Sequence, residues 1–371
     1  MKKILCMLLA LIMLVSLAGC GGKTAEPKAA EAAKDALKVV YLVNGNLGDK
    51  GFFDSAASGL DMMKAELGAE IKCIEMGRDE TTYEGNFLDV SEQDWDVIIG
   101  GTWSVQELIQ EIAGQFPEKD YIFFDGSIDH AAVTTGNAMG ISYKAVEGSF
   151  MAGVLAAKMF ESGDANIDPN NKVVGFVGSM DGVNINEFLI GYIEGIKFVD
   201  PEIKVMTSYV GSYEDVPKCL EMTTQLYNQG AQIVYAPASQ SILGAATAAQ
   251  TAGKYLIACD QDLYAQLADS DAEMAKWVLS SSLKKVGESL MTAVKGMQDG
   301  TMSASENYTL GLDSGAVGLA KNANYEALVP EAIRAEIDEI EAKVIAGEIA
   351  MSNVYEMTTE EIAAVRDSMK P

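Results

Sequence analysis

The chain has 371 residues, 49% of them hydrophobic, and carries a formal net charge of −27 at neutral pH. That length suits two domains better than one, and that charge repels nucleic acid and anionic lipid headgroups, so neither is an expected partner. A single histidine, His130, and five cysteines argue against a histidine-based zinc site, a Ser-His-Asp triad or a Cys-His pair; no metal, no cofactor and no catalytic residue is expected.

The N-terminus reads as an export signal. Lys2 and Lys3 precede an apolar run from Ile4 to Leu17, which is short for a membrane span and fits a signal-peptide core. The run ends in Leu17-Ala18-Gly19-Cys20, which resembles a bacterial lipobox. Residues 1–19 are thus expected to be a lipoprotein signal peptide, with Cys20 as the lipidation site; the plainer alternative is an ordinary signal with a chance cysteine. Acyl chains anchor by burying methylenes, at about 0.8 kcal/mol each. Residues 20–37 lack an apolar period and read as a flexible tether. The expected location is the extracytoplasmic face of the cell membrane, held through the lipid anchor only.

The body then alternates strand-like and helix-like segments. Val39–Val43 is a continuous apolar run, as in a strand covered on both faces. Phe52, Ala56, Leu60, Met63 and Leu67 form a helical stripe, closed by Gly68. Val97–Ile99 is a strand, followed by a helix that Ser104 and Glu107 would start as a capping box. Tyr121–Phe124 is a strand ending at Asp125. A second set opens near Tyr143, with a helix over 146–160 and a strand at Val173–Val177. Phe188, Tyr192 and Ile196 mark a helix face. Strands follow at Val205–Val210, Ile233–Tyr235 and Tyr255–Cys259, the last ending at Asp260, with helices capped near Gly230 and Gly253 between them. Trp277–Leu283 reads as a strand, 284–297 as a helix and Tyr308–Leu310 as a short strand; from Pro330 onward the chain is mostly helical. Two sets of strand–helix units imply two parallel sheets with helices on both faces. Cys73, Cys219 and Cys259 sit in apolar runs and read as small buried residues.

Ligands of open α/β sheets sit beyond the carboxyl ends of the strands. The residues there are a Gly-rich loop, Asn44 to Asp54, which is neither a Rossmann nor a P-loop fingerprint, and Trp103, Asp125 and Asp260. Strand-end carboxylates can hold hydroxyl pairs, and rings such as Phe52 and Phe188 can stack on a planar ligand. The same aspartates could equally be N-caps, and the same phenylalanines core.

Ten separated stretches, in order, decide the matter: GDKGFFDSA (Gly48–Ala56), DVIIGG (Asp96–Gly101), FPEKDYIFFD (Phe116–Asp125), EGSFMAGVLAA (Glu147–Ala157), KVVGFVG with FLIGYIEG downstream, YVGSYED (Tyr209–Asp215), IVYAPAS, the ACDQD segment at Asp260, VLSSSLKKV (Val278–Val286) and YTLGLDSGAVG. From Val39 to Leu319 the chain resembles the basic membrane protein family of ABC-transporter solute-binding lipoproteins, which includes purine-nucleoside receptors. The resemblance implies an α/β, type I periplasmic-binding-protein fold: two parallel-sheet lobes, 38–140 plus 284–308 and 141–283 plus 309–371, joined by a three-stranded hinge near Ile141, Ser281 and Leu310. It implies a monomer that binds a small molecule, a nucleoside, between the lobes and delivers it to an ABC permease and its ATPase. In the nucleoside receptors two phenylalanines sandwich the base, and here they fall on Phe52 and Phe188. An aspartate and a lysine hold the ribose, here Asp260 and Lys284; Asp125 lines the same cleft and Asp49 stands on a motif position. The family's Asn after the first phenylalanine is replaced by Phe53, a place that Asp54 or Asn46 could fill. Three alternatives stay open: a nucleoside hydrolase using Asp125 and Asp260, a sugar- or autoinducer-binding protein of the same fold, and a surface antigen or adhesin without transport.

Overall fold

A computed structural model describes residues 36–48 and 50–371. The signal segment 1–19, Cys20, tether residues 20–35 and Asp49 lie outside the described residues.

The strands, in chain order, are β1 (Lys38–Val43), β2 (Glu70–Glu75), β3 (Val97–Gly101), β4 (Asp120–Phe124), β5 (Ala138–Tyr143), β6 (Val173–Gly178), β7 (Lys204–Tyr209), β8 (Ile233–Tyr235), β9 (Tyr255–Asp260), β10 (Val278–Lys284), β11 (Asn307–Leu310) and β12 (Val317–Leu319). They form two six-stranded sheets, β11-β5-β4-β3-β1-β2 and β12-β10-β9-β8-β6-β7. Every pairing is parallel except β10 with β12. The apolar runs are buried throughout β1, β3 and β9 as strands sandwiched between helices must be. The edge strand β2 was not evident in the sequence, because it is mostly exposed and carries no apolar run. Cys73 lies on it and is exposed, contrary to the expected burial; Cys219 and Cys259 are buried.

The two sheets repeat one winding, with the second strand of each outside the first and the third on the first strand's other side. The topological switch points are therefore β1/β3 and β6/β8, where a crevice opens beyond the strand ends. The chain passes between the sheets after β5, after β10 and after β11. The lobe boundary expected at residue 140 falls inside β5, which pairs wholly within the first sheet, so that crossing comes after Tyr143.

Helix packing explains glycines within the quoted motifs. A Cβ on Gly195 would stand 2.0 Å from the Phe150 carbonyl oxygen, and one on Gly153 2.1 Å from that of Tyr192. Helices Ala145–Lys158 and Val183–Val199 thus touch backbone to backbone at these points. In the first lobe, a Cβ on Gly59 would stand 2.7 Å from the Gly287 carbonyl oxygen, which brings helix Val286–Asp299 against helix Phe52–Leu67. At the C-terminus, helix Thr359–Asp367 opens with a Thr358/Glu361 capping box, and the Met369 carbonyl accepts from Val205 N–H on the edge strand β7. Among the described residues no helix is long and apolar enough to cross a membrane.

Two local expectations fail for clear reasons. The buried face of helix Phe52–Leu67 carries Ala56, Leu60 and Met63 as expected, but Phe53 rather than Phe52 is its buried ring, and Phe52 and Leu67 are only partly buried. Ser104 caps no helix. It lies in a short 3-10 turn, and its hydroxyl instead accepts from the Asn44 amide at 2.7 Å.

Candidate functional site

A cleft of about 1130 Å³ separates the sheets' facing strand ends. That is somewhat larger than the usual small-molecule pocket of about 300–1,000 Å³. Lys284, the last residue of β10, is buried and points into it. Its Nζ donates to Asp125 Oδ1 at 2.9 Å. It also lies over three rings, Phe188 at 5.2 Å, Phe52 at 5.5 Å and Tyr143 at 5.6 Å to the centroids. Burial alone would depress the ammonium's pKa, but the carboxylates of Asp125 and Asp260 outweigh it and hold it above the ordinary lysine value. The side chain is thus a fixed cation gathered between two lobes and three aromatic faces.

The two aspartates occupy matching places, Asp125 just past β4 and Asp260 at the end of β9. Both adopt left-handed backbone, φ 64° and 67°. The other non-glycine residues with positive φ, among those described, are Lys50, Thr102 and Ser239. Thr102 and Asp125 directly follow strands and Asp260 ends one, and Thr102, Ser239 and both aspartates line the cleft. Backbone held in sparsely populated conformations collects at ligand sites.

The first lobe contributes Phe52, Trp103 and Asn44 to the lining, and the second Phe188, Ser179 and Glu187. Trp103 is 71% exposed, at the mouth. Phe188 sits in the second turn of its helix rather than at its start. Asp54 is absent from the lining; its carboxylate accepts from the N–H groups of Gly48 and Lys50, at 2.7 and 2.9 Å, and ties down the first loop. Asn46 is likewise absent from the lining.

Sequence reasoning did not single out Ser179, Glu187 or Arg78, and named Asn44 only as the start of the first loop. Asn44 and Ser179 are buried, and Asn44 Oδ1 and Ser179 Oγ have no hydrogen-bond partner among the described residues. They stand one residue past β1 and β6, at the two switch points, and that rule could have found them. Glu187 is a buried carboxyl beside Phe188, and burial pushes it up to about 7. Arg78 could not have been found from pattern. Its guanidinium lies 5.6 Å from the Phe53 ring and 5.7 Å from that of Tyr213, and it pairs with Glu214 at 3.0 Å. Phe53 and Arg78 come from the first lobe, Tyr213 and Glu214 from the second. A further bridge runs from Gln261 Nε2 to the Gly51 carbonyl at 2.9 Å.

A buried cation, two strand-end carboxylates and rings from both lobes offer contacts to a small polar molecule in the cleft. A family model described as "ABC transporter substrate-binding protein PnrA-like" matches residues 36–350. The chain is 29% identical over 315 residues to Basic membrane protein A2 of Borrelia garinii subsp. bavariensis, covering 84% of this chain and 87% of that one. It is 27% identical over 352 residues to Basic membrane protein A of Borreliella burgdorferi, covering 94% and 95%. An ABC transporter solute-binding protein from Aeropyrum pernix K1 superposes with a TM-score of 0.71 at 22% identity, over 90% of this chain and 99% of that one. The fold is thus that of the periplasmic solute-binding proteins, two α/β lobes with parallel-dominated sheets.

Proposed function

Because the chain belongs to the PnrA-like family of ABC transporter substrate-binding proteins, we propose that it is an extracytoplasmic lipoprotein, anchored at Cys20, that captures a nucleoside between its lobes and delivers it to an ABC permease. The observation that carries the ligand reading is the placement of Phe52 and Phe188. They come from opposite lobes, yet both rings face the same Lys284 ammonium, which is hydrogen-bonded to Asp125. Two aromatic faces suit a planar base, and an ammonium with carboxylates beside it suits the paired hydroxyls of a ribose. Asn44 Oδ1 and Ser179 Oγ offer further polar contacts. Ligand binding would draw the lobes together, because only the closed form presents both rings at once, and the closed form is what a permease would recognise.

The experiment is native mass spectrometry of freshly purified protein, followed by calorimetry with nucleosides and with free ribose. A co-purifying nucleoside, or nucleosides binding well below the concentrations ribose needs, supports the reading. Ribose or another sugar binding as tightly as any nucleoside replaces it with a sugar-binding protein of the same fold.

A further inference from the structure

Glu187 is a carboxyl of the cleft that the reading above leaves without a role. It is 6% exposed and lines the cleft next to Phe188. Its Oε1 accepts from the Val146 N–H at 3.1 Å, and its Oε2 from the Tyr355 hydroxyl at 3.3 Å. Tyr355 belongs to a 3-10 turn, Val354–Glu356, packed on the helix that carries Glu187. It lies past residue 350, where the match to the family model ends. The segment before it is fastened to the same helix, since Glu194 accepts from the Ser352 N–H at 3.2 Å and from its hydroxyl at 2.5 Å.

An ionised carboxylate has about four lone-pair sites. Val146 and Tyr355 take one on each oxygen, which leaves one on each, side by side. Tyr355 gives its only hydroxyl proton to Glu187, so its own oxygen is also left as an acceptor. The group therefore offers acceptors on adjacent atoms and, while ionised, no donor. A base with two neighbouring N–H donors, such as the ring N–H and exocyclic amine of a guanine-type edge, complements it. An adenine-type edge sets a ring-nitrogen lone pair against a carboxylate lone pair.

We propose that Glu187, positioned by Tyr355, is a second recognition point of the cleft and selects a nucleoside whose base carries two adjacent N–H donors. The inference rests on the nucleoside reading and names the class of base. The charged and titratable groups facing Glu187 are Lys284, Asp125 and Tyr355; burial raises its carboxyl to about 7, and the Lys284 ammonium pulls it down. A donor edge binds the ionised form, so affinity for it rises as pH climbs through that value.

The test is calorimetry on the lipid-free mature protein with guanosine, inosine and adenosine at pH 6 and pH 8. Guanosine should bind about tenfold tighter than adenosine, because the mismatched edge leaves buried acceptors unpaired. Inosine, with one N–H donor, should fall between, and the guanosine preference should grow from pH 6 to pH 8. In Glu187→Gln the guanosine and adenosine affinities should converge and the pH dependence flatten. In Tyr355→Phe the preference should shrink. Equal affinities for guanosine and adenosine in the wild type, or an unchanged ratio in a folded Glu187→Gln, overturn the inference and leave the nucleoside reading standing. Failure of every nucleoside to bind overturns both.

Discussion

Lys284 and Asp125 reach each other across the cleft, the lysine from the end of β10 in the second sheet and the aspartate from the turn after β4 in the first, with 2.9 Å between Nζ and Oδ1. The pair is a built contact between lobes as well as a polar patch for a ligand. Lys284 is almost wholly buried, whereas the Asp125 side chain keeps 24% of its exposure. A hydrogen bond with a charged partner contributes roughly 1.5–3 kcal/mol. Lys284→Met should therefore weaken nucleoside binding by about tenfold to a hundredfold, and Asp125→Asn by less, since the amide keeps an acceptor oxygen. Calorimetry that finds wild-type affinity in a folded Lys284→Met variant removes the lysine from the site.

Arg78 and Glu214 form the outer bridge between the lobes. Both side chains are near half exposed, so the ion pair itself is worth only about 0.2–1 kcal/mol. The two ring contacts of Arg78 add roughly 0.5–1 kcal/mol each at such exposure. Arg78→Ala should therefore speed ligand release several-fold, and Glu214→Ala less, because it leaves Arg78 on the Phe53 and Tyr213 rings. Stopped-flow release rates at low and high salt check both points. Equal release from the two variants and the wild type would mean that the bridge does not hold the closed form.

Glu187 also makes a prediction about stability without ligand. Its carboxyl titrates near 4.5 in an unfolded chain and is pushed up to about 7 in the folded one, mainly by burial. Between those values the folded state binds more protons than the unfolded state, so this group makes stability fall as pH rises. The loss is complete once pH exceeds the folded value and is on the order of 1–3 kcal/mol. Glu187→Gln, which carries no charge to bury, should gain stability relative to wild type between pH 5 and pH 8. Chemical denaturation at both pH values measures it. A wild-type-minus-variant difference that does not change with pH rules out a raised Glu187.

Much of the fold was legible because its signals are local. The runs at Val39–Val43 and Tyr255–Cys259 are continuous because those strands are covered on both faces, and Gly68 and Gly253 take the left-handed conformation that ends their helices. The edge strand β2 escaped because it is largely exposed. Phe52 and Phe53 could not be sorted by spacing, since either ring stands at a helical interval from Ala56 and Leu60. Asp125, Asp260 and Lys284 were found by strand-end position and motif. Arg78 and Tyr355 were not, because their neighbours are distant in sequence. Asp54 illustrates the limit of position alone, since it stands beside the cleft and gives its carboxylate to the Gly48 and Lys50 N–H groups.

Cys20 should carry the lipid. The sequence Leu17-Ala18-Gly19-Cys20 follows an apolar run, and one acyl chain alone gives only marginal anchoring, so stable attachment requires more than one. Cys20→Ala should abolish labelling by a clickable fatty acid in the producing bacterium and move the protein from the membrane fraction to the soluble one. Undiminished labelling in that variant excludes Cys20.

Phe52 and Phe188 give the most selective prediction. Phe52 opens its helix in the first lobe, and Phe188 sits in the second turn of its helix in the second lobe. Both rings line the cleft and stand near the Lys284 ammonium, at 5.5 and 5.2 Å to their centroids. A base stacked on an aromatic side chain gains roughly 1–3 kcal/mol, a scale taken from single-strand-binding proteins. Phe188→Ala should thus cost about tenfold or more in nucleoside affinity, while Phe188→Trp, which keeps a flat face, should lose little. Phe52→Ala should behave like Phe188→Ala, with an added loss because Phe52 also packs on Phe53 and Phe124, at 5.5 and 5.4 Å between centroids. Free ribose has no base to stack, so its weak binding should be nearly indifferent to either change. Calorimetry of a nucleoside and of free ribose against the three variants separates these effects. Two alanine variants that bind nucleosides normally would show that the rings are wall rather than sandwich, and the planar-ligand reading would then lose its main support.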